Sequence, residues 1–175
     1  MAWIAKAIAG ALVLGLAACG GGDTPGKGPT AVFVLPTAEA EGEMAPGFFD
    51  LPWPTDLRRT EDGFVDVGGF PRSSSVALLR TYLEAISSEI EGYSTNVATY
   101  LRFSEPVDPA SLPQAPMEAL ADDASVFIVN VDLDSDSFGE RHPAVVRYQE
   151  EPTLYWPANA VAVRPVYGAP LAPET

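Results

Sequence analysis

One cysteine, one histidine and a short alternation of aspartates are the residues of this 175-residue chain with chemistry to offer. Cys19 has no second cysteine to pair with, so an internal disulfide and a multi-cysteine zinc site are excluded. A catalytic thiol needs a base and a means of lowering its pKa. Cys19 sits between Ala17-Ala18 and Gly20-Gly21-Gly22, which supply neither. Ser94 lies in Gly92-Tyr93-Ser94-Thr95-Asn96, close to the G-x-S-x-G nucleophile elbow but with asparagine at the fifth position. His142 follows it, and Asp132, Asp134 and Asp136 lie between, which gives the order Ser, Asp, His. The elbow belongs on a strand-to-helix turn, whereas the pattern around Ser94 runs from helix to strand, so the chain is read as carrying no catalytic residues.

Asp132, Asp134 and Asp136 also alternate as calcium loops do. The EF-hand pattern requires glycine at Ser137 and glutamate at Pro143, and both fail, which leaves the three aspartates as weak candidates for a looser calcium site with Glu140. The competing reading is a solvated acidic hairpin loop. No other metal or cofactor is expected. Trp53, Tyr93, Tyr155 and Trp156 are the aromatics that would form a platform for a sugar or a lipid acyl chain, and they are equally suited to a core.

Cys19 makes more sense as an address. Ala7 to Ala18 is apolar and follows the single basic residue Lys6, and it is shorter than the ~20 residues that span a bilayer. Leu16-Ala17-Ala18-Cys19 resembles the bacterial lipobox, in which the chain is cut between the residues here numbered Ala18 and Cys19 and the thiol is lipidated. Several acyl chains of the palmitate kind on one residue hold a protein to a membrane, where a single chain holds marginally. Gly20 stands where many lipoproteins retained at the inner membrane carry aspartate, so the resemblance implies an outer-membrane lipoprotein of the bacterial cell envelope.

The chain holds 24 acidic residues against ten basic ones, a net charge of −14, and loss of Lys6 with the leader makes it more acidic still. No Lys/Arg cluster interrupts this, so nucleic acid is excluded as a partner. Residues 19–42 are rich in glycine, proline, threonine and glutamate and read as a flexible tether. Within them Ala31 to Leu35 is apolar, as a first docking strand or a sticky part of the linker.

Residues 43–175 read as one folded domain. Prolines and glycines throughout Pro46 to Pro71 forbid a regular helix, while Phe48, Phe49, Leu51, Trp53 and Leu57 are too many large apolar groups for a solvated loop. Asp62-Gly63 is a turn signal before a short strand at Phe64 to Val67. Val76, Leu79, Leu83, Ile86 and Ile90 recur in steps of three and four, which predicts a helix over about 75–91. Ser73 to Ser75 are its expected caps, Gly92 its stop, and Ser87 part of its outer side. Strands are expected at Val97 to Phe103, Val126 to Val131 (covered on both faces), Ala144 to Tyr148, Thr153 to Trp156 and Ala160 to Val166. The fold class is mainly β: an antiparallel sandwich with one helix packed on it.

FFDLPWPTDLRR, DGFVDVGGFP, EGYSTN, LRFSEPVDPASLP, VFIVNVD and LYWPANAVAVRPVYGAPLAPET follow one another in this order. The series resembles the Ig-like N-terminal domain of bacterial virulence-factor-type lipases and of large bacterial surface lipoproteins, with Phe103 to Leu112 its most distinctive part. The resemblance implies an immunoglobulin-type β-sandwich, incomplete at its C-terminus because the family pattern continues into another strand. It implies a non-catalytic spacer, adhesion or binding module at the cell envelope, its envelope-protein, glycan or lipid ligand unspecified. Two alternatives are the N-terminal part of a lipase or esterase whose hydrolase domain lies beyond Thr175, and a calcium- or glycan-binding lipoprotein.

Overall fold

The computed structural model describes residues 28–35 and 47–173. The proposed leader, its cleavage site at Ala18 and Cys19, and most of the tether lie outside them. The described residues form a small mainly-β fold, with antiparallel strands and one helix. Helix α1 is Ala77–Glu89. Strands follow at Thr99–Arg102 (β1), Ile128–Val129 (β2), Arg141–His142 (β3), Ala144–Gln149 (β4) and Ala160–Pro165 (β5).

β5 is the central strand of a three-stranded sheet ordered β1-β5-β4, and β2 and β3 form a separate ribbon. The run AVAVRP explains the central position: four successive small or β-branched residues, Ala160 to Val163, are buried, as a strand covered on both faces requires. Pro165 is tolerated because the β1 register ends at Thr99↔Val163, so its missing N–H costs no bond to that neighbour. On one face Leu101, Val161, Val163, Val146 and Tyr148 meet Leu112 and Ala119, with Val126 and Ile128 packed against them. Full burial of a side chain such as Val161 stabilises the fold by about 1.5–3 kcal/mol, and the half-buried members contribute less.

The outer edge of β1 is covered by chain from the N-terminal side. Ala31 bridges Phe103, the Val32 N–H donates to the Arg102 carbonyl (2.8 Å), and Trp53 bridges Tyr100. Of the two readings of Ala31 to Leu35, these bonds describe the docked one. Gly63 takes the positive φ (90°) that the Asp-Gly turn asks for.

Several expected elements are shorter or different. Phe64 to Val67 is not a strand; Val65 makes a single bridge to Arg59. Val126 to Val131 pairs only at Ile128–Val129, because the next register position faces Pro143, which has no N–H to give. Val131 lies at the other end of the pair from Pro143, where the Gly139 N–H donates to the Asn130 carbonyl (2.8 Å), and it is 74% exposed instead of covered. Thr153 to Trp156 is a loop. The chain reverses there between β4 and β5, and the Thr153 hydroxyl oxygen accepts from the Tyr155 and Trp156 N–H groups, displacing a ladder.

α1 keeps its expected extent to within two residues, but its ends and footing differ. Val76 stands at the N-cap without a side-chain bond, while the Ser75 hydroxyl turns back to the Arg72 carbonyl. The helix stops when Ile90 becomes extended, not at a left-handed Gly92. No residue of α1 is buried. Its ties run to the irregular segment before it: Val65 donates to the Ile90 carbonyl (2.7 Å) and Val67 to the half-buried Ser87 Oγ (3.5 Å). Ser87 thus belongs to the inner side.

Candidate binding groove

The aromatic segment before α1 is built on one tight turn. Gly47 donates its N–H to Asp50 Oδ2 (2.8 Å) and accepts the Asp50 N–H (3.0 Å), closing a 3-10 turn over Phe48–Asp50. That closure buries Phe48 and Phe49 and leaves Asp50 Oδ1 to meet Arg102 Nη2 at 2.5 Å. The turn thus covers Arg102 and Tyr100 on the face of β1 turned away from Leu101.

Arg58 locks the same turn from behind. It is 6% exposed, donates Nη2–H to the Phe48 carbonyl (2.8 Å), and lies 4.5 Å from the Phe48 ring centre. Burial pulls its pKa down from the ordinary arginine value, and the Asp66 carboxylate and Tyr93 push it back up. Nothing in Arg58-Arg59 as a sequence distinguishes the buried residue from its half-buried neighbour.

The rings form a continuous chain. Tyr93 meets Trp53 edge-on (5.5 Å between centres), Trp53 meets Phe48 (4.9 Å), and Phe48 meets Phe49 and Phe70 (5.0 and 5.1 Å). Phe49 meets Tyr100 (5.8 Å) and Tyr100 meets Trp156 (4.8 Å). Edge-to-face packing of this kind stabilises each pair by about 0.5–1.5 kcal/mol beyond burial. The Tyr93 hydroxyl donates to the Thr55 carbonyl (2.8 Å), and burial raises its pKa above the usual tyrosine range, opposed by Arg59.

Between this chain of rings and the loop of residues 152–159 lies a groove of about 540 Å³. Phe48, Phe49 and Trp156 give it aromatic walls, Leu154 and Tyr155 its lip, and the Arg102–Asp50 pair its polar end. Asn159, at φ 55°, turns the chain from the groove into β5. An apolar cleft of this size with one polar anchor fits a sugar ring or a short acyl segment. The expected four-residue platform is divided: Tyr155 and Trp156 line the groove, whereas Trp53 and Tyr93 pack behind Phe48. Leu57, expected in the core, is 58% exposed.

The other sequence candidates lie apart. His142 lines a second cleft of about 350 Å³ with Asn130, Ser137 and Glu140, and its Nε2 donates to the Ala169 carbonyl (2.8 Å). Ser94 is absent from that cleft, and its Oγ accepts the Asn96 N–H (3.2 Å). The triad order therefore corresponds to no hydrogen-bonded chain of side chains among the described residues. Asp132 Oδ1 accepts the Asp134 N–H (3.0 Å), and Asn130 Nδ2 donates to Ser135 Oγ and Ser137 Oγ (both 2.9 Å). Among the described residues no three Asp, Glu, His or Cys side chains are grouped to hold a metal ion, so Asp132, Asp134 and Asp136 do not converge. No helix among the described residues is long and apolar enough to cross a membrane. No protein family, curated protein or solved structure matches the chain.

Proposed function

We propose that this chain is a lipid-anchored lipoprotein of the bacterial cell envelope, bearing a non-catalytic Ig-like β-module that serves as a spacer or adhesive surface. The observation that carries the reading is Leu16-Ala17-Ala18-Cys19 after an apolar stretch with a basic start. The mainly-β fold, with its two antiparallel sheets, supports the module half of the proposal. Its test is metabolic labelling of the full chain with an alkyne-bearing palmitate in a bacterial host. The protein is expected to take up label and sediment with membranes, and Cys19→Ser to lose both. Label retained by Cys19→Ser, or none on the parent chain, would refute the anchor.

The groove favours a second reading within the same setting: a lipoprotein that binds a glycan or acyl chain between Trp156 and the Phe48–Asp50 turn. Its supporting observation is the pairing of aromatic walls with a polar end, the usual composition of a small-molecule cleft. Trp156→Ala, argued below, tests it.

A further inference from the structure

The face of the sheet turned away from the aliphatic core carries two arginines, Arg147 and Arg164, that no carboxylate among the described residues meets. Arg147 on β4 stands opposite Ala162 on β5, which stands opposite Tyr100 on β1. Arg164 stands opposite Val145, so the two arginines are diagonal neighbours across β4 and β5. Together with Tyr100, Trp156, Val145 and Ala162 they line a hollow of about 150 Å³. Ala162 is 7% exposed and is the smallest of these groups, which makes it the floor.

Among the described residues this juxtaposition is uncompensated. Among the described residues the salt bridges are Arg59–Asp56, Arg80–Glu84 and Arg102–Asp50, and neither Arg147 nor Arg164 belongs to one. Arg164 is held in place from below, its guanidinium 3.8 Å from the Tyr167 ring centre and Nη1 donating to the Pro165 carbonyl. Two guanidinium groups at neighbouring positions of one sheet face repel, and an anion between them is attracted to both.

β4 is also an edge strand. β5 pairs with one side of it, and among the described residues no strand pairs with the other. Its sequence, AVVRYQ, has neither proline nor glycine and a single charge, so it lacks most of the usual protections of a bare edge. A strand added there would place alternate side chains on the hollow's face, one of them directly across from Arg147 at about 4.5–5.5 Å between Cβ atoms. A second copy of this chain paired symmetrically about Arg147 would set one arginine directly against the other, which destabilises the pair. We propose that the outer edge of β4 takes up an extended peptide strand with acidic residues at alternate positions, whose carboxylates engage Arg147 and Arg164.

The experiment titrates the full chain with a short extended peptide carrying glutamate at every second position. The same peptide with glutamine, and the Arg147→Ala protein, serve as comparisons. Amide hydrogen exchange of β4 is followed in each complex. The glutamate peptide is expected to bind saturably and to slow exchange in β4, and either change to weaken it about tenfold or more, as loss of a charge-assisted bond requires. Equal binding of the glutamine peptide would overturn the proposal, with the protein itself unaltered. Displacement by inorganic phosphate without any slowing in β4 would reduce the hollow to a small-anion site and overturn strand addition. Self-association that protects β4 without peptide would assign the edge to a second copy, and so overturn it too.

Discussion

The two faces of the β1-β5-β4 sheet are covered by different kinds of chain. On one face Leu112, Ala119, Ala144, Val161 and Val163 make a closed aliphatic cluster, supplied largely by the strands themselves. On the other, Phe48, Phe49 and Trp53 arrive on a proline-shaped segment and meet Tyr100 and Trp156 ring by ring. The aliphatic face is sealed. The aromatic face is sealed only beside β1 and opens, toward β4 and the loop of residues 152–159, into a groove and an arginine-lined hollow. Large rings can bridge from an irregular backbone to a sheet without a regular element between them, and rings packed edge-on leave space at the margin of the layer. The stable face and the face available for recognition are thus backed by the same three strands.

The sharpest way to break the contrast is Phe48→Ala. Phe48 is 4% exposed and touches three rings and the Arg58 guanidinium, so its removal leaves a cavity where several groups lose contact together. A loss of about 3–5 kcal/mol is expected from chemical denaturation. If the aromatic layer were merely decorating a sheet stabilised by its aliphatic face, the loss would be under about 1 kcal/mol, and the comparison would fail.

Trp156→Ala sharpens it at intermediate size. The ring is half-buried and meets Tyr100 alone among the aromatics, so about 2 kcal/mol is expected, roughly half the cost of a fully buried tryptophan. The same substitution removes a wall of the groove. Calorimetric titration with a soluble oligosaccharide and with a short-chain fatty acid is expected to give heat for one of them in the parent chain and none in the variant. Unchanged binding in Trp156→Ala would remove the groove from consideration as a ligand site.

The difference between the faces also marks how far the sequence could be read. Strand parity in VATYLRF puts Val97, Thr99, Leu101 and Phe103 on one face, and Leu101 and Phe103 pack together against the aliphatic cluster. Parity sets Tyr100 and Arg102 on the opposite face and says nothing of what lies over them. Their cover comes from Phe49 and Asp50, some fifty residues earlier, and no local pattern announces a contact at that distance. The presence of buried aromatics between Pro46 and Pro71 was legible from composition. Which of them would be buried was not, since Leu57 is exposed and Arg58 buried inside a segment with no periodicity to assign faces. Thr153 to Trp156 has strand propensity but must reverse the chain between two paired strands, and connectivity overrides propensity there. The helix was legible because its three- and four-residue spacing needs no knowledge of its neighbour; that it rests on Val65 and Val67 instead of the sheet was not.

Tyr93 gives the smallest effect and the one that separates hydrogen bonding from ring packing within the aromatic layer. Its hydroxyl donates to the Thr55 carbonyl, and its ring packs on Trp53. Tyr93→Phe keeps the ring and loses the bond, so about 1 kcal/mol of stability should disappear at neutral pH. The pKa of Tyr93 is raised in the folded state, mainly by burial, relative to an unfolded value near 10. A raised folded pKa means that the folded chain holds its proton where the unfolded chain has released it. The contribution is therefore complete below about pH 10 and declines as pH climbs toward the folded value. The phenylalanine variant lacks this term at every pH. Melting temperatures of the two proteins should differ most at neutral pH and converge in the alkaline range. A gap that stays constant through that range would show that the hydroxyl is already solvated, and that the aromatic layer opens to water at Tyr93 as well as at Trp156.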